Sequence, residues 1–149
     1  MPIPRKLLLI TAGAFLGTAL GGCATAQLEG STGLTKAQTA LVSGAPGLGL
    51  LGNATVRLEA VDGRDLKPTQ SQARIPPGKH SLVLSCQVTH TGASGSAQIE
   101  FNAQAGQEYE LQLRILKHYP GCSGVLVNAA TNKVVAKPDT LDQTLNPPE

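Results

Sequence analysis

The stretch HSLVLSCQVTHTGASGSAQIEFNA, residues 80–103, decides the fold. Apolar residues occupy every second position from Leu82 to Val88 and again in the last seven residues of the stretch. Successive residues of a β-strand point to opposite faces, so this period of two predicts two strands with one face in the core and one in water. Such two-faced strands are typical of antiparallel sheets. The predicted inward residues are Leu82, Leu84, Cys86, Val88, Ala97, Ile99, Phe101 and Ala103.

The same period continues on both sides of this stretch. TVRLEAV at 55–61 and YELQLRI at 109–115 alternate in the same way, and two shorter candidate strands follow near 124–129 and 133–136. Glycine and proline separate the strands, and HTGASGS at 90–96 is predicted to be a flexible hairpin loop. The predicted turn residues are Asp62, Gly63, Pro77, Gly78 and Gly106. We therefore predict an all-β domain over 54–137, a small meandering antiparallel sandwich of six or seven strands, with a small closed barrel as the alternative.

A different pattern occupies the start of the chain. Arg5 and Lys6 precede an uncharged, mostly apolar run at 7–20. The run is shorter than the about 20 residues that cross a bilayer, and its length suits a secretory signal peptide. The letters LGGC at 20–23 end the run and resemble the lipobox of bacterial lipoproteins. That resemblance implies removal of residues 1–22 and acylation of Cys23, and Ala24 in place of Asp implies sorting to the periplasmic face of the outer membrane.

Two other fates of this N-terminus compete with acylation. Cleavage near Ala24–Ala26 would leave a soluble periplasmic protein, and an uncleaved helix would be a membrane anchor.

Residues 23–53 are rich in small residues and are predicted to be a lipidated N-terminus with a flexible tether. Within the tether, residues 34–42 have the spacing of one or two capped helical turns, and the leucines at 48–51 are alternatively placed against the domain edge. Residues 138–149, with three prolines, are predicted to be a disordered tail.

Cys86 and Cys122 remain in the predicted mature domain. In an exported protein, two cysteines form a disulfide more often than a metal pair, so we predict a bridge between them. A bridge that closes a loop of this length stabilises a fold by roughly 3–4 kcal/mol. A catalytic thiol is the sharper alternative, but no histidine arrangement typical of thiol catalysis lies beside either cysteine in the sequence.

Neither the charge balance nor the motifs of this domain favour nucleic-acid binding, a metal site or catalysis. Removal of residues 1–22 takes away two of the 12 basic residues and leaves as many basic as acidic residues, so nucleic acid is excluded as a partner. His80, His90 and His118 lack the spacing of zinc ligands, and Asp62 with Asp65 lacks the rest of a calcium loop. We predict no catalytic residue, no metal site and no cofactor.

Part of the sequence resembles a known module. LEAVDGRDL at 58–66 and ARIPPGKHSLVL at 73–84 are similar to the PEGA-type module, a small β-sandwich of bacterial envelope proteins. FNAQAGQEYELQL at 101–113 and NAATNKVV at 128–135 also resemble a group of small uncharacterised bacterial lipoproteins. Both resemblances involve structural turns, and they imply a β-sandwich carried on a lipid anchor.

These patterns lead to three functional hypotheses. The first is a lipid-anchored envelope protein whose non-catalytic sandwich binds another envelope protein or a cell-wall component through the 90–96 loop or a sheet edge. The second is an inhibitor of wall-degrading enzymes. The third is a hydrolase whose catalytic residues are dispersed in the sequence, with His80 and Asp62 as the residues to substitute in a test.

Overall fold

The computed structural model describes residues 24–28, 30–44, 54–115 and 121–139, which form two packed β-sheets. The described residues contain ten strands and one 3-10 turn, Lys36–Gln38. In chain order the strands are β1 (Ala24–Gln27), β2 (Ala40–Gly44), β3 (Ala54–Val61), β4 (Arg64–Asp65), β5 (Gln70–Ile75), β6 (Gly78–Val88), β7 (Ala93–Ala103), β8 (Glu108–Ile115), β9 (Cys122–Asn128) and β10 (Val134–Ala136). The all-β sandwich prediction is confirmed, and the two sheets do not close into a barrel.

The chain alternates between the two sheets. Sheet A has six strands in the order β1-β5-β2-β8-β9-β10, and sheet B has four in the order β4-β3-β6-β7. In sheet A the pairs β1–β5 and β2–β8 are parallel, whereas its other pairs and all pairs of sheet B are antiparallel. The chain crosses from one sheet to the other after β2, β4, β5 and β7. The described part of the chain is therefore not the simple meander of six or seven strands that the sequence predicts. The four additional strands, β1, β2, β4 and β5, are short and lack a long alternating pattern.

The core lies between the sheets and is built from the inward residues of the alternating strands. In β6 every second residue from His80 to Val88 is buried, and it pairs with β7 over the whole length of both strands. Full burial of one leucine or isoleucine side chain stabilises a fold by roughly 1.5–3 kcal/mol. The largest fully buried side chains include Leu58, Ile75, Leu82, Leu84, Ile99, Leu111 and Leu126.

A bulge changes the burial pattern at the end of β3. Leu58 pairs with Leu84, whereas Ala60 pairs with Val83, so the register shifts at Glu59. A bulge adds one residue to one strand and re-aims the side chains after it. As a result both Ala60 and Val61 are buried, although a strict period of two would place Val61 in water.

The predicted tether is wrong for residues 24–28 and 30–44. β1 pairs with β5, and β2 lies between β5 and β8 in the middle of sheet A. Ala40 and Val42 in β2 have no exposed surface. The capping box is present around the 3-10 turn, where the Thr35 N–H donates to Gln38 Oε1 at 3.0 Å. The helical pattern is therefore one short turn that leads into a core strand.

The predicted turns are found where strands end. Asp62 and Gly63 both have positive φ and join β3 to β4 as a two-residue hairpin, the conformation that Asp-Gly favours. Pro76 and Pro77 separate β5 from β6, which begins at Gly78 with φ 129°. The turn before β8 contains Gly106 with φ 74°. The predicted loop at 90–96 is shorter in the structure, because β7 already begins at Ala93.

Candidate functional site

Cys86 and Cys122 form a disulfide that joins the two sheets. Cys86 lies in β6 of sheet B and Cys122 begins β9 of sheet A, and their Cα atoms are 6.0 Å apart. Both cysteines are buried. A Cβ at Gly95 of β7 would collide with the carbonyl oxygen of Cys122, so only glycine permits this close approach of the sheets. The pairing confirms the sequence prediction and gives the cysteines a structural role.

Asp62 and His80 form a hydrogen-bonded polar pair between two turns. His80 Nδ1 is hydrogen-bonded to Asp62 Oδ2 at 2.6 Å, and its Nε2 is hydrogen-bonded to the Pro76 carbonyl oxygen at 2.8 Å. Both ring nitrogens are therefore occupied by oxygen partners. Asp62 also accepts from the Ser81 N–H at 2.9 Å. The pair therefore joins the β3–β4 turn to the proline turn before β6.

The environment of Asp62 favours its charged form. Partial burial raises the pKa of Asp62, but the hydrogen bonds from Ser81 and His80 and the nearby charges of His80 and Arg64 outweigh this effect. The net result is that the pKa of Asp62 lies below its ordinary value. The centroids of the His80 and Phe101 rings are 6.3 Å apart, so the Asp62–His80 pair adjoins the aromatic part of the core.

A polar cleft of about 580 Å³ opens on the outer face of sheet A. Its floor crosses β1, β5, β2 and β8, and the 3-10 turn and the loop before β8 form one end. Two backbone hydrogen bonds tie that end together: the Gly106 N–H donates to the Thr39 carbonyl at 2.8 Å, and the Leu41 N–H donates to the Gln107 carbonyl at 3.0 Å. The volume lies within the range of small-molecule binding sites.

The cleft is rich in hydrogen-bond donors. Arg74 Nη1 donates to Thr39 Oγ1 at 3.1 Å, and Thr39 is itself buried and donates to the Thr35 carbonyl. Within the described ranges no carboxylate lies within 4.0 Å of the Arg74 guanidinium or the Lys36 ammonium. Glu108 lies in the same row of the sheet, because Leu41 pairs with Arg74 on one side and with Glu108 on the other. The backbone positions of Arg74 and Glu108 thus lie two strand spacings, about 10 Å, apart on the floor of the cleft, and Lys36 of the 3-10 turn also lines it.

Two amide side chains add further donors. Gln72 Oε1 accepts from Thr25 Oγ1 at 3.1 Å, and Gln107 Oε1 accepts from Asn128 Nδ2 at 2.8 Å. With both amide oxygens engaged, each NH₂ group keeps two donors, and no acceptor among the described residues bonds to them. Arg74, Lys36, Gln72 and Gln107 all line the cleft. The cleft is therefore suited to a ligand with several acceptor atoms.

The other candidate residues are scattered. Cys23 and His118 lie outside the described residues, as do the predicted signal peptide at 1–22 and residues 140–149 of the predicted tail. His90 is exposed in the β6–β7 hairpin, and Asp65 is exposed in β4. No cluster of three metal-ligating side chains occurs in the described part of the chain. Among the described residues, His80, His90 and Asp65 do not lie together in one metal site.

The comparisons give no relative from which a function could be transferred. No protein-family model matches the chain, and neither a curated protein nor a solved structure does. Among the residues that the structure describes, no helix has the length and apolar character required to cross a bilayer.

The charged and amide side chains of the cleft were not among the predicted site residues. Lys36 and Thr39 fall in the segment predicted to be a tether, and Arg74 and Gln72 fall in a strand that was not predicted. One signal was present in QSQARI at 70–75, where Ala73 and Ile75 alternate with polar residues. A strand there with an outward arginine was therefore predictable, whereas its position beside Lys36 was not.

Proposed function

We propose that this chain is a lipid-anchored protein of the bacterial cell envelope whose β-sandwich binds a partner without catalysing a reaction. The anchor part is supported by the LGGC motif at 20–23, which follows an apolar run with a positive head. The PEGA-like turns at Asp62-Gly63 and Pro77-Gly78 support the envelope class. The cross-sheet disulfide agrees with an oxidising compartment.

Acylation at Cys23 has a geometric consequence for the domain. β1 begins at Ala24, the residue that follows Cys23, and Ala24 pairs with Gln70 of β5. Acyl chains contribute about 0.8 kcal/mol per buried methylene, and two or more chains give stable anchoring. An acylated Cys23 would therefore hold the β1 edge of sheet A at the membrane surface with no spacer.

The polar cleft is the single observation that favours binding as the activity. It combines a positioned guanidinium, a lysine and two amide donors that have no acceptor in the described part of the chain. The rival catalytic centre, Asp62 with His80, has both ring nitrogens occupied by the Asp62 and Pro76 oxygens. These two observations support binding rather than acid–base chemistry as the activity of the domain.

Site-specific photo-crosslinking in the producing cells tests this proposal. A photoreactive residue at Gln72 probes the cleft, and the same residue at Gln98, on the outer face of β7 in sheet B, is the matched control. We expect one reproducible envelope protein or wall fragment to be captured from position 72, at least fivefold more than from position 98. The capture should fall when Cys23→Ser releases the protein from the membrane.

Equal capture from both positions, or none from either, would contradict the proposal that the cleft binds an envelope partner. Capture of a wall-degrading enzyme from position 72 would identify the partner as the target of an inhibitor. Turnover of a substrate that is lost in Asp62→Asn, with the fold retained, would overturn the non-catalytic part of the proposal.

A further inference from the structure

The Arg74 guanidinium is the most constrained charged group in the cleft. It is partly buried, and its Nη1 is fixed by the hydroxyl of Thr39, which is 1% exposed. The Thr39 hydroxyl gives its own proton to the Thr35 carbonyl, so its oxygen lone pairs are available to the arginine. Arg74 is thus held in place by a neutral partner and keeps its full charge. A preorganised guanidinium of this kind suits bidentate binding of a carboxylate or phosphate.

The other side chains of the cleft select between these two anions. Lys36 and the amide NH₂ groups of Gln72 and Gln107 favour either anion. Glu108 lies in the same row as Arg74, two strands away, and would repel the second charge of a phosphate. Its carboxylate instead accepts hydrogen bonds from N–H groups or pairs with an ammonium group. A ligand that has a carboxylate at one end and nitrogen donors at the other matches Arg74 on β5 and Glu108 on β8.

We propose that the cleft binds the carboxyl end of a short peptide, with the carboxylate on the Arg74 guanidinium and the peptide N–H groups toward Glu108, while Lys36 adds positive charge to the same cleft. An extended peptide advances about 3.5 Å per residue, so two or three residues span the about 10 Å between the strands that carry Arg74 and Glu108. This inference deepens the proposed function and rests on it in one respect, which is that the cleft faces a partner. It adds the chemical class of that partner.

Binding of trialanine to the full chain in detergent micelles tests the inference. The affinity is measured by NMR titration of the ¹⁵N-labelled protein with trialanine, with trialanine amide and with inorganic phosphate. We expect trialanine to bind at least tenfold more tightly than its amide and more tightly than phosphate, with the largest shifts at the backbone amides of Gln72 and Gln107. Equal affinities for acid and amide, tighter binding of phosphate, or no binding of trialanine would overturn the proposal.

Two matched lysine variants test whether the charge of Lys36 contributes to trialanine binding. Lys36→Gln should weaken trialanine binding at least threefold, whereas Lys79→Gln, which removes an exposed lysine of β6 in sheet B, should leave it within twofold. Arg74→Gln should weaken binding at least tenfold, and Arg74→Lys should restore part of the loss. Because Arg74 also bonds Thr39, dispersed NMR spectra of its variants must show that the sandwich is intact. Equal effects of Lys36→Gln and Lys79→Gln would contradict the assignment.

The outcome separates this inference from the proposed function. If position 72 captures an envelope partner but trialanine and its amide bind alike, the ligand class is wrong and the binding function stands. If trialanine binds as expected but nothing is captured in cells, the peptide site stands and the proposed envelope function fails.

Discussion

Individual residues couple parts of this chain that are far apart in sequence. His80 begins the buried face of β6 and contacts both the Pro76 carbonyl and the Asp62 carboxylate. Asp62 in turn bonds the backbone N–H and carbonyl of Ser81. The β3–β4 hairpin is thereby tied to the proline turn that starts β6. Arg74 does the same on the other sheet, where it bonds Thr39 beside the 3-10 turn.

Removal of the Asp62 charge should weaken the fold in a pH-dependent way. Asparagine tolerates the positive φ of this turn, so Asp62→Asn keeps the hairpin and removes only the ionic contact. We expect a loss of about 1–2 kcal/mol in the free energy of unfolding at pH 7, measured by urea denaturation followed by circular dichroism. Asp65→Asn, in exposed β4, is the control and should cost less than about 0.5 kcal/mol.

The free energy of unfolding measured at acid pH shows in which direction the Asp62 contact changes stability. Because the folded pKa of Asp62 lies below its unfolded value, its stabilisation is complete above the unfolded pKa and is lost as the pH falls through the folded pKa. The wild-type protein should therefore lose stability more steeply than Asp62→Asn as the pH falls below the ordinary carboxyl range. Parallel acid curves for the two proteins would contradict the role given to Asp62.

At the scale of elements, long alternating strands were predictable and short ones were not. β6 and β7 each contain 11 residues, and their inward faces were assigned correctly from the period of two. β2 has five residues, ALVSG, and β1 has four, which is too short for a periodic signal beside a glycine-rich segment. The cleft could not be predicted either, because it depends on pairings of Leu41 with both Arg74 and Glu108.

A substitution in β2 tests whether this segment belongs to the core. Val42 has no exposed surface and lies between β5 and β8, so Val42→Ala should cost about 1.5–3 kcal/mol in urea unfolding. The neighbouring Ser43 points to the outer face, and Ser43→Ala should cost less than about 0.5 kcal/mol. If Val42→Ala has as little effect as Ser43→Ala, residues 40–44 are a tether after all.

The disulfide links two elements of different sheets, and its removal should be costly. Cys86→Ala with Cys122→Ala opens a loop that spans 36 positions, and we expect a loss of about 3–4 kcal/mol in urea unfolding. Dithiothreitol should lower the stability of the wild-type protein and leave that of the double variant unchanged. Two thiols that react with iodoacetamide in the unreduced wild-type protein would contradict the bridge.

At the scale of the whole molecule, the described domain follows Cys23 without a gap. Sheet A begins at Ala24, and the polar cleft on the same sheet includes Thr25. A lipid on Cys23 would place the cleft within reach of the membrane surface, where its ligands would be envelope components. The proposals for location and for binding therefore depend on the same residue.

Metabolic labelling with tritiated palmitate, followed by membrane fractionation, tests the anchor most directly. The account predicts that the wild-type protein carries the label and sediments with the outer membrane, whereas Cys23→Ser is unlabelled and soluble in the periplasm. An unlabelled wild-type protein in the soluble fraction would contradict it.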